Sequence, residues 1–191
     1  MSANVQTNPS EKISPPAYLG GDQWHERLSD GTTVLIRSIR EEDIDLERRF
    51  IEELSPESRR FRFLGQMNAP SAALLKQMTQ LDPSRDVAFV ALIADGALKR
   101  EIGVARFSTD QSGNACECAV AVADAWHHRG LATLLMQHLI NVARSRGIAS
   151  MSSIDAVDNS GIKDLAARLG FSRVSDPQDP HQVIHTLELK A

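Results

Sequence analysis

From Glu117 to Ala132 the chain reads ECAVAVADAWHHRGLA, the segment densest in residues with chemical use. A β-branched, apolar run ends near Val122, a short connection follows, and Arg129-Gly130-Leu131-Ala132 opens a helix. The first turn of a helix has unpaired N–H groups and a partial positive charge. Gly130 and Ala132 keep side chains out of the way, so a pyrophosphate could approach that backbone. The same small residues also suit a helix start packed tightly against a strand, and spacing alone leaves both readings open. His127, His128 and His138 with Cys116 and Cys118 raise the question of a metal. Neither Cys-x-Cys nor His-His has the usual zinc spacing, so no metal is expected. Two cysteines at i and i+2 of a strand point the same way, about 6.6 Å apart. A disulfide needs Cβ atoms about 3.8 Å apart, so none is expected between them. The basic run Arg59, Arg60, Arg62 reads as a solvated helix face for at least two of its three members. Phe61 and Phe63 cannot both enter a core from one helix face, which leaves one of them to line a groove.

The elements that position these residues follow from periodicity and breakers. Ser29-Asp30-Gly31 is a turn signal between 24–28 and the β-branched run 32–38, a hairpin. Residues 41–54 have apolar positions near helical spacing, with Glu41, Glu42 and Asp43 at the positive end. Ser55 is a candidate N-cap with Pro56 at the first helical position, and a further helix is expected over 70–80. Strands are expected over 87–94, 101–108 and 115–122, with breaks at Asp95-Gly96 and Ser112-Gly113-Asn114. A long helix fits 130–146, ended by Gly147, with one apolar face. Then come a strand over 150–156, a helix over 159–169 ended by Gly170, and strands over 171–175 and 182–189. Grouped and alternating strands together predict an α/β (α+β) chain, a mixed sheet with helices on its faces.

Composition bounds the function. The 191 residues contain 21 Lys plus Arg and 25 Asp plus Glu, a net charge of −4, so no general attraction to nucleic acid or anionic membrane is expected. No apolar run approaches the roughly 20 residues that span a bilayer. The start, MSANVQTNPSEKISPP, has no apolar core, and the expected compartment is the cytoplasm. Residues 1–20 are polar and carry Pro9, Pro15 and Pro16, so a disordered tail is expected there.

The stretch His127-His128-Arg129-Gly130-Leu131-Ala132 resembles the acetyl-CoA-binding motif of the GNAT acetyltransferase superfamily, Gln/Arg-x-x-Gly-x-Gly/Ala. Asn159, a helix and Leu169-Gly170-Phe171 follow as in that superfamily. WHERLSDGTTVLIRSIREED, LSPESRRFRF, ECAVAVADAW and AARLGF further resemble the acetyltransferase domain of Pat-type protein lysine acetyltransferases. The resemblance implies a GNAT domain over 21–191, with a mixed, mostly antiparallel central sheet flanked by helices. It also implies acetyl transfer from acetyl-CoA to a primary amine. Backbone groups of Val120, Ala121 and Val122 would pair with the pantetheine arm. Those of His128, Arg129, Gly130, Leu131, Ala132 and Thr133 would hold the pyrophosphate, and Asn159 would contact the cofactor. Glu117 occupies the position of the catalytic glutamate.

The chemistry gives that position a reason. A lysine amine of pKa about 10.4 is neutral in roughly one copy in 2,500 near pH 7, and supplying the neutral form costs about 4.6 kcal/mol. A carboxylate in reach can take the proton, and a strand N–H such as that of Val120 can stabilise the oxyanion. The alternative for Glu117 is a solvated strand residue in a salt bridge. Two positions depart from the superfamily. Ala166 stands where many members carry a tyrosine that protonates the leaving thiolate. His127 replaces Gln or Arg, so acetyl-CoA affinity is expected to fall as pH rises from about 6 to 8. The expected acceptor is a protein lysine. The alternatives are a small-molecule amine, an acyl-enzyme at Cys116 or Cys118, and a non-catalytic acyl-CoA-binding regulator. A homodimer is left open.

Overall fold

The computed structural model describes residues 23–65, 67 and 69–189; the tail expected over 1–20 lies outside them. Eight strands form one sheet: β1 (Gln23–Arg27), β2 (Thr33–Ser38), β3 (Asp86–Asp95), β4 (Leu98–Thr109), β5 (Ala115–Val122), β6 (Ser150–Ala156), β7 (Ser172–Ser175) and β8 (Gln182–Glu188). Their order is β1-β2-β3-β4-β5-β6-β8-β7. Every neighbouring pair is antiparallel except β5 and β6, which run parallel. The helices are α1 (Ile44–Glu53), α2 (Pro56–Phe63), α3 (Ala72–Thr79), α4 (Leu131–Ser145) and α5 (Ser160–Leu169). The expected mixed, mostly antiparallel sheet with flanking helices is what forms. Among the described residues no helix is long and apolar enough to cross a membrane.

Strand alternation sorts the core into two layers. Val87, Phe89 and Ala91 of β3 face α4, whose Leu131, Leu135 and Leu139 are buried against them, and Leu165 of α5 joins this layer. Ala88, Val90 and Leu92 face the other way, toward Phe50 and Ile51 of α1 and Leu75 and Met78 of α3. The register of β3 on β4 shifts between Ala91 and Leu92, a bulge that leaves Ile102 without an opposite residue. Next to it, Gly103 lets α4 approach closely. A Cβ there would stand 3.2 Å from both the Ala121 carbonyl oxygen and Leu135 Cδ1.

The helix expected over 41–54 begins as a 3₁₀ turn over 41–43, with α1 proper starting at Ile44. The cause is Asp43, which turns inward rather than complementing the helix dipole. Its carboxylate accepts from Arg37 Nη1 and Nη2 at 2.6 and 2.7 Å and from the Arg40 N–H at 2.8 Å. This buried, bidentate pair fixes α1 to β2.

Between α1 and the sheet lies a second group of charges. Glu47 is 0% exposed and Glu101 3%, and the carboxylate oxygens of both have no hydrogen-bond donor. Arg106 Nη2 stands 3.6 Å from Glu47 Oε1. Two adjacent carboxyl groups can bond each other only when one is protonated. Burial, and then the neighbouring Glu47 charge, push Glu101 well above the ordinary glutamate value of 4.5. A carboxyl raised in the folded state stabilises fully below its unfolded pKa, and that stability is lost as pH rises through the folded pKa. The wild-type melting temperature should therefore decline from about pH 5 upward. Glu101→Gln, whose amide donates to Glu47 at every pH, should remove this component and melt higher than wild type at pH 8. Thermal melts of both across pH 5–8 with parallel slopes would refute the shared proton.

Candidate active site

The sheet opens in its middle. β5 and β6 pair only at Ala115 with Ser150, Cys116 with Met151 and Glu117 with Ser152, and then part. On its other side β5 stays paired with β4 through Val122 opposite Gly103. The rungs Asp110 N–H to Ala115 and Ala123 N–H to Ile102 fix the alternation along β5. Residues 117, 119, 121 and 123 direct their backbone groups at β4, while Cys118, Val120 and Val122 direct theirs at β6. Beyond Glu117 the backbone groups of Val120 and Val122 therefore border a gap. Ala121 has its own backbone engaged with Val104, so it lines the cleft without offering these groups.

A cleft of about 500 Å³ fills the gap. Val120, Ala121 and Val122 line one side, and His127, His128, Gly130, Leu131, Ala132 and Thr133 line its end. Gly130 takes φ +86°, the left-handed conformation, at the cap of α4 and gives no side-chain cap. The first helical bond is Leu134 N–H to Gly130 carbonyl, so the preceding amides have no intrahelical acceptor. Asn159 caps α5, its Oδ1 accepting from Ile162 N–H at 3.1 Å, and it lines the cleft. The open strand edge and the positive helix end suit a ligand with an amide arm and a phosphate head.

Two residues of the expected set act differently from their neighbours. Arg129 does not line the cleft through its side chain. Its guanidinium bonds Asp30 at 2.5 Å and the Ala125 carbonyl at 2.9 Å and lies over the Trp126 ring. The His127 ring places Nε2 2.9 Å from the Val122 carbonyl oxygen. In a neutral imidazole that bond takes the single N–H. Only a doubly protonated ring keeps a donor for a phosphate.

Glu117 belongs to the last rung before the strands part, between Ser108 and Ser152. Its side chain is exposed on the α1 and α3 face and does not line the cleft. Its Cα lies about 10 Å along the strand from that of Val120. Cys116 and Cys118 face the opposite layer and are buried with free thiols. Burial pushes Cys116 up to about 12 and Cys118 higher still, so neither is a ready nucleophile. Among the described residues no group of three or more His, Cys, Asp or Glu could hold a metal ion.

The basic run divides: Arg60 keeps its side chain partly exposed in an ion pair, while Arg62 is half-buried. Arg60 Nη2 bonds Asp158 at 2.7 Å, and Arg62 lines the cleft with Phe61, Glu57 and Ser58. Burial and the neighbouring Arg106 lower Arg62 to about 10, still protonated at neutral pH. Phe61 is the aromatic that lines a groove, and Phe63 packs into the α1–α3 core. The N-cap Ser55 also ties α2 to Asp124. Ser55 N–H, Ser55 Oγ and Ser58 Oγ donate to its carboxylate at 3.0, 2.8 and 2.8 Å. Burial alone would raise Asp124, but these bonds hold it below the usual carboxylate range. So α2 roofs the cleft, pinned at Asp124 and at Asp158. The sequence marked the cap of α2 but carried no signal for these distant partners. It also gave none for Asp155, which lines the β6 side.

A family model for the GNAT acetyltransferases matches residues 49–171. An acetyltransferase of Pseudomonas aeruginosa is 45% identical over 187 residues, covering 98% of this chain and 100% of that protein. The structure of the GNAT domain of S. lividans PAT superposes with a TM-score of 0.79 at 25% identity, over 87% of this chain and 96% of that one. A cAMP-binding acyltransferase from Mycobacterium smegmatis shares the fold, with a TM-score of 0.62 at 22% identity. That match covers 89% of this chain but 48% of the mycobacterial one. With a family model spanning most of the chain and a relative similar along its whole length, this protein belongs to the GNAT acetyltransferases and is an acetyl-CoA-dependent N-acetyltransferase.

Proposed function

We propose that the acceptor is the side-chain amine of protein lysines and that Glu117 is the base. The observation that carries this reading is the position of Glu117: exposed on the open face of the sheet, at the rung where β5 leaves β6, outside the enclosed cleft. A lysine on a protein surface can reach such a carboxylate, whereas a small amine is usually enclosed by its pocket. Likeness to the S. lividans PAT domain supports the same acceptor.

In this reading acetyl-CoA lies along the open edge of β5, its arm on Val122 and its pyrophosphate on the amides of residues 128–133. Asn159 stands beside it. Glu117 takes the proton of the incoming ammonium, directly or through water, and the neutral amine attacks the thioester carbonyl. The Val120 N–H, free on the β6 side, stabilises the oxyanion. The intermediate collapses with the electron pair leaving on sulfur, and the extra proton on the attacking nitrogen passes to water or to the departing thiolate. Alanine at position 166 supplies no acid for it, and a thiol of pKa about 8.5 leaves well without one.

The test is transfer of labelled acetyl from acetyl-CoA into desalted cell extract, with the small-molecule fraction assayed in parallel. Discrete protein bands should be labelled, and Glu117→Gln should lose about a hundredfold or more of the rate while still binding acetyl-CoA. Label confined to small molecules would replace the acceptor, and full turnover in the variant would remove Glu117 as base. Arg129→Ala should change the dissociation constant for acetyl-CoA by less than about threefold, because its side chain serves Asp30 and Trp126 rather than the cleft. Calorimetric titration giving a tenfold loss would place the guanidinium on the phosphates after all.

A further inference from the structure

The wall facing β5 across the cleft is β6, and Asp155 is the one β6 side chain that lines it. The parallel register ends with Glu117 beside Ser152; counted three residues further along each strand, it would bring Val120 level with Asp155 across the gap. The same carboxylate borders a small cavity of about 20 Å³ next to Ala166 and Cys118, room for one water molecule.

Asp155 is a held group. Its Oδ2 accepts from Ser153 Oγ at 2.6 Å, and His185 Nδ1 lies 2.9 Å from the same oxygen. An ionised carboxylate only accepts, so Nδ1 carries the imidazole proton. The His185 side chain is 2% exposed, and its Nε2 has no hydrogen-bond partner. Both donors engage Oδ2. Oδ1 is left without a partner among the described residues, yet it is not among the buried unpaired atoms. An acceptor that is not sealed off, on a carboxylate held through its other oxygen, thus belongs to the cleft wall across from β5.

Trans amides make that placement informative. In a trans amide the C=O and N–H point in opposite directions. When the carbonyl of a strand-like ligand accepts from a β5 N–H, the N–H of the same amide is aimed at β6. There, among the described residues, Asp155 is the one residue of β6 that lines the cleft. We propose that Asp155, oriented by Ser153 and His185, accepts the N–H of the pantetheine amide nearest the thioester and so sets the register of the thioester along β5. It is a positioning residue, and the inference rests on the reading of this cleft as the acyl-CoA site. Ser153 and His185 can both reverse their hydrogen bonds, by rotation and by change of tautomer. Asp155→Asn can therefore keep its oxygen toward the ligand.

The test is equilibrium binding of two ligands to the full chain: acetyl-CoA, and the nucleotide half of coenzyme A, which lacks the arm. Asp155→Ala should weaken acetyl-CoA about tenfold or more, the range for a hydrogen bond to a charged group. The nucleotide half should bind it as it binds wild type, and Asp155→Asn should recover most of the loss. If the alanine variant fails to fold, the triple variant Ser153→Ala, Asp155→Leu and His185→Leu removes all three polar groups together and is expected to give the same pattern. Unchanged affinity for acetyl-CoA, or equal loss for both ligands, would overturn the inference and leave a purely structural role. A wild type that binds neither ligand would overturn the reading of the cleft, and this inference with it.

Discussion

The structure depends on a pairing that stops. Three rungs join β5 to β6, and then two central strands of a sheet separate with backbone groups facing the space between them. Buried unpaired backbone groups are costly, so a gap of this kind persists only where water or a ligand satisfies them and the surroundings hold the strands apart. The surroundings do so from three sides. The β4 bulge and Gly103 let α4 press close, with Leu131 and Leu135 against the glycine. Asn159 starts α5 at the far wall. Overhead, α2 bridges the opening between Asp124 and Asp158. The His127 ring adds a local repair by capping the Val122 carbonyl, one of the groups the parting exposes.

Much of this was legible from local signals. The Gly130 break, the apolar stripe of α4, the Ser55-Pro56 start of α2 and the two-residue alternation of β5 are encoded within a few residues of where they act. What failed to show was tertiary. Asp43 reads as a dipole-complementing acid at a helix start, and only the fold brings Arg37 to it. Glu47 sits where an amphipathic pattern permits either exposure or burial, and it is buried because Arg106 and Glu101 meet it there. Arg60 and Arg62 look alike in a run of basic residues. One reaches Asp158 across 98 positions of sequence, while the other turns into the cleft. Asp155 lies in an ordinary strand, and its meaning comes from Ser153 and His185 on either side of a register that sequence does not display. Pairings that span dozens of residues depend on which elements become neighbours, and no local period carries that information.

The charges divide by layer. Under α1, Glu47 and Glu101 are sealed from solvent, with the partly buried Arg106 beside them. Their expected consequence is a stability that depends on a proton rather than on a ligand. Three of the four acidic groups that line the cleft are occupied: Asp124 by two serines, Asp158 by Arg60, and Asp155 on one oxygen by Ser153 and His185. Occupied carboxylates repel a phosphate less than bare ones. The end of the cleft at α4 can therefore remain positive although the chain as a whole is acidic.

In the proposed mechanism one strand serves two chemical tasks, and its parity keeps them apart. Odd positions of β5 send their side chains to the α1 and α3 face and their backbone to β4, so Glu117 is exposed while its backbone is anchored to Ser108. Even positions send their side chains toward α4 and α5 and their backbone to the gap, so Val120 offers an N–H there while Cys118 buries its thiol. In the proposed mechanism a base on one side and an acyl donor on the other meet the amine along the line where β5 leaves β6. A slip of one residue in the register with β4 would reverse both assignments, bringing a thiol to the open face and turning the glutamate into the core. The regular β4–β5 ladder, unbroken from Thr109 to Gly103, is what forbids that slip. The same ladder that stabilises the sheet therefore fixes the Glu117 side chain on the open face and the Val120 N–H toward the gap.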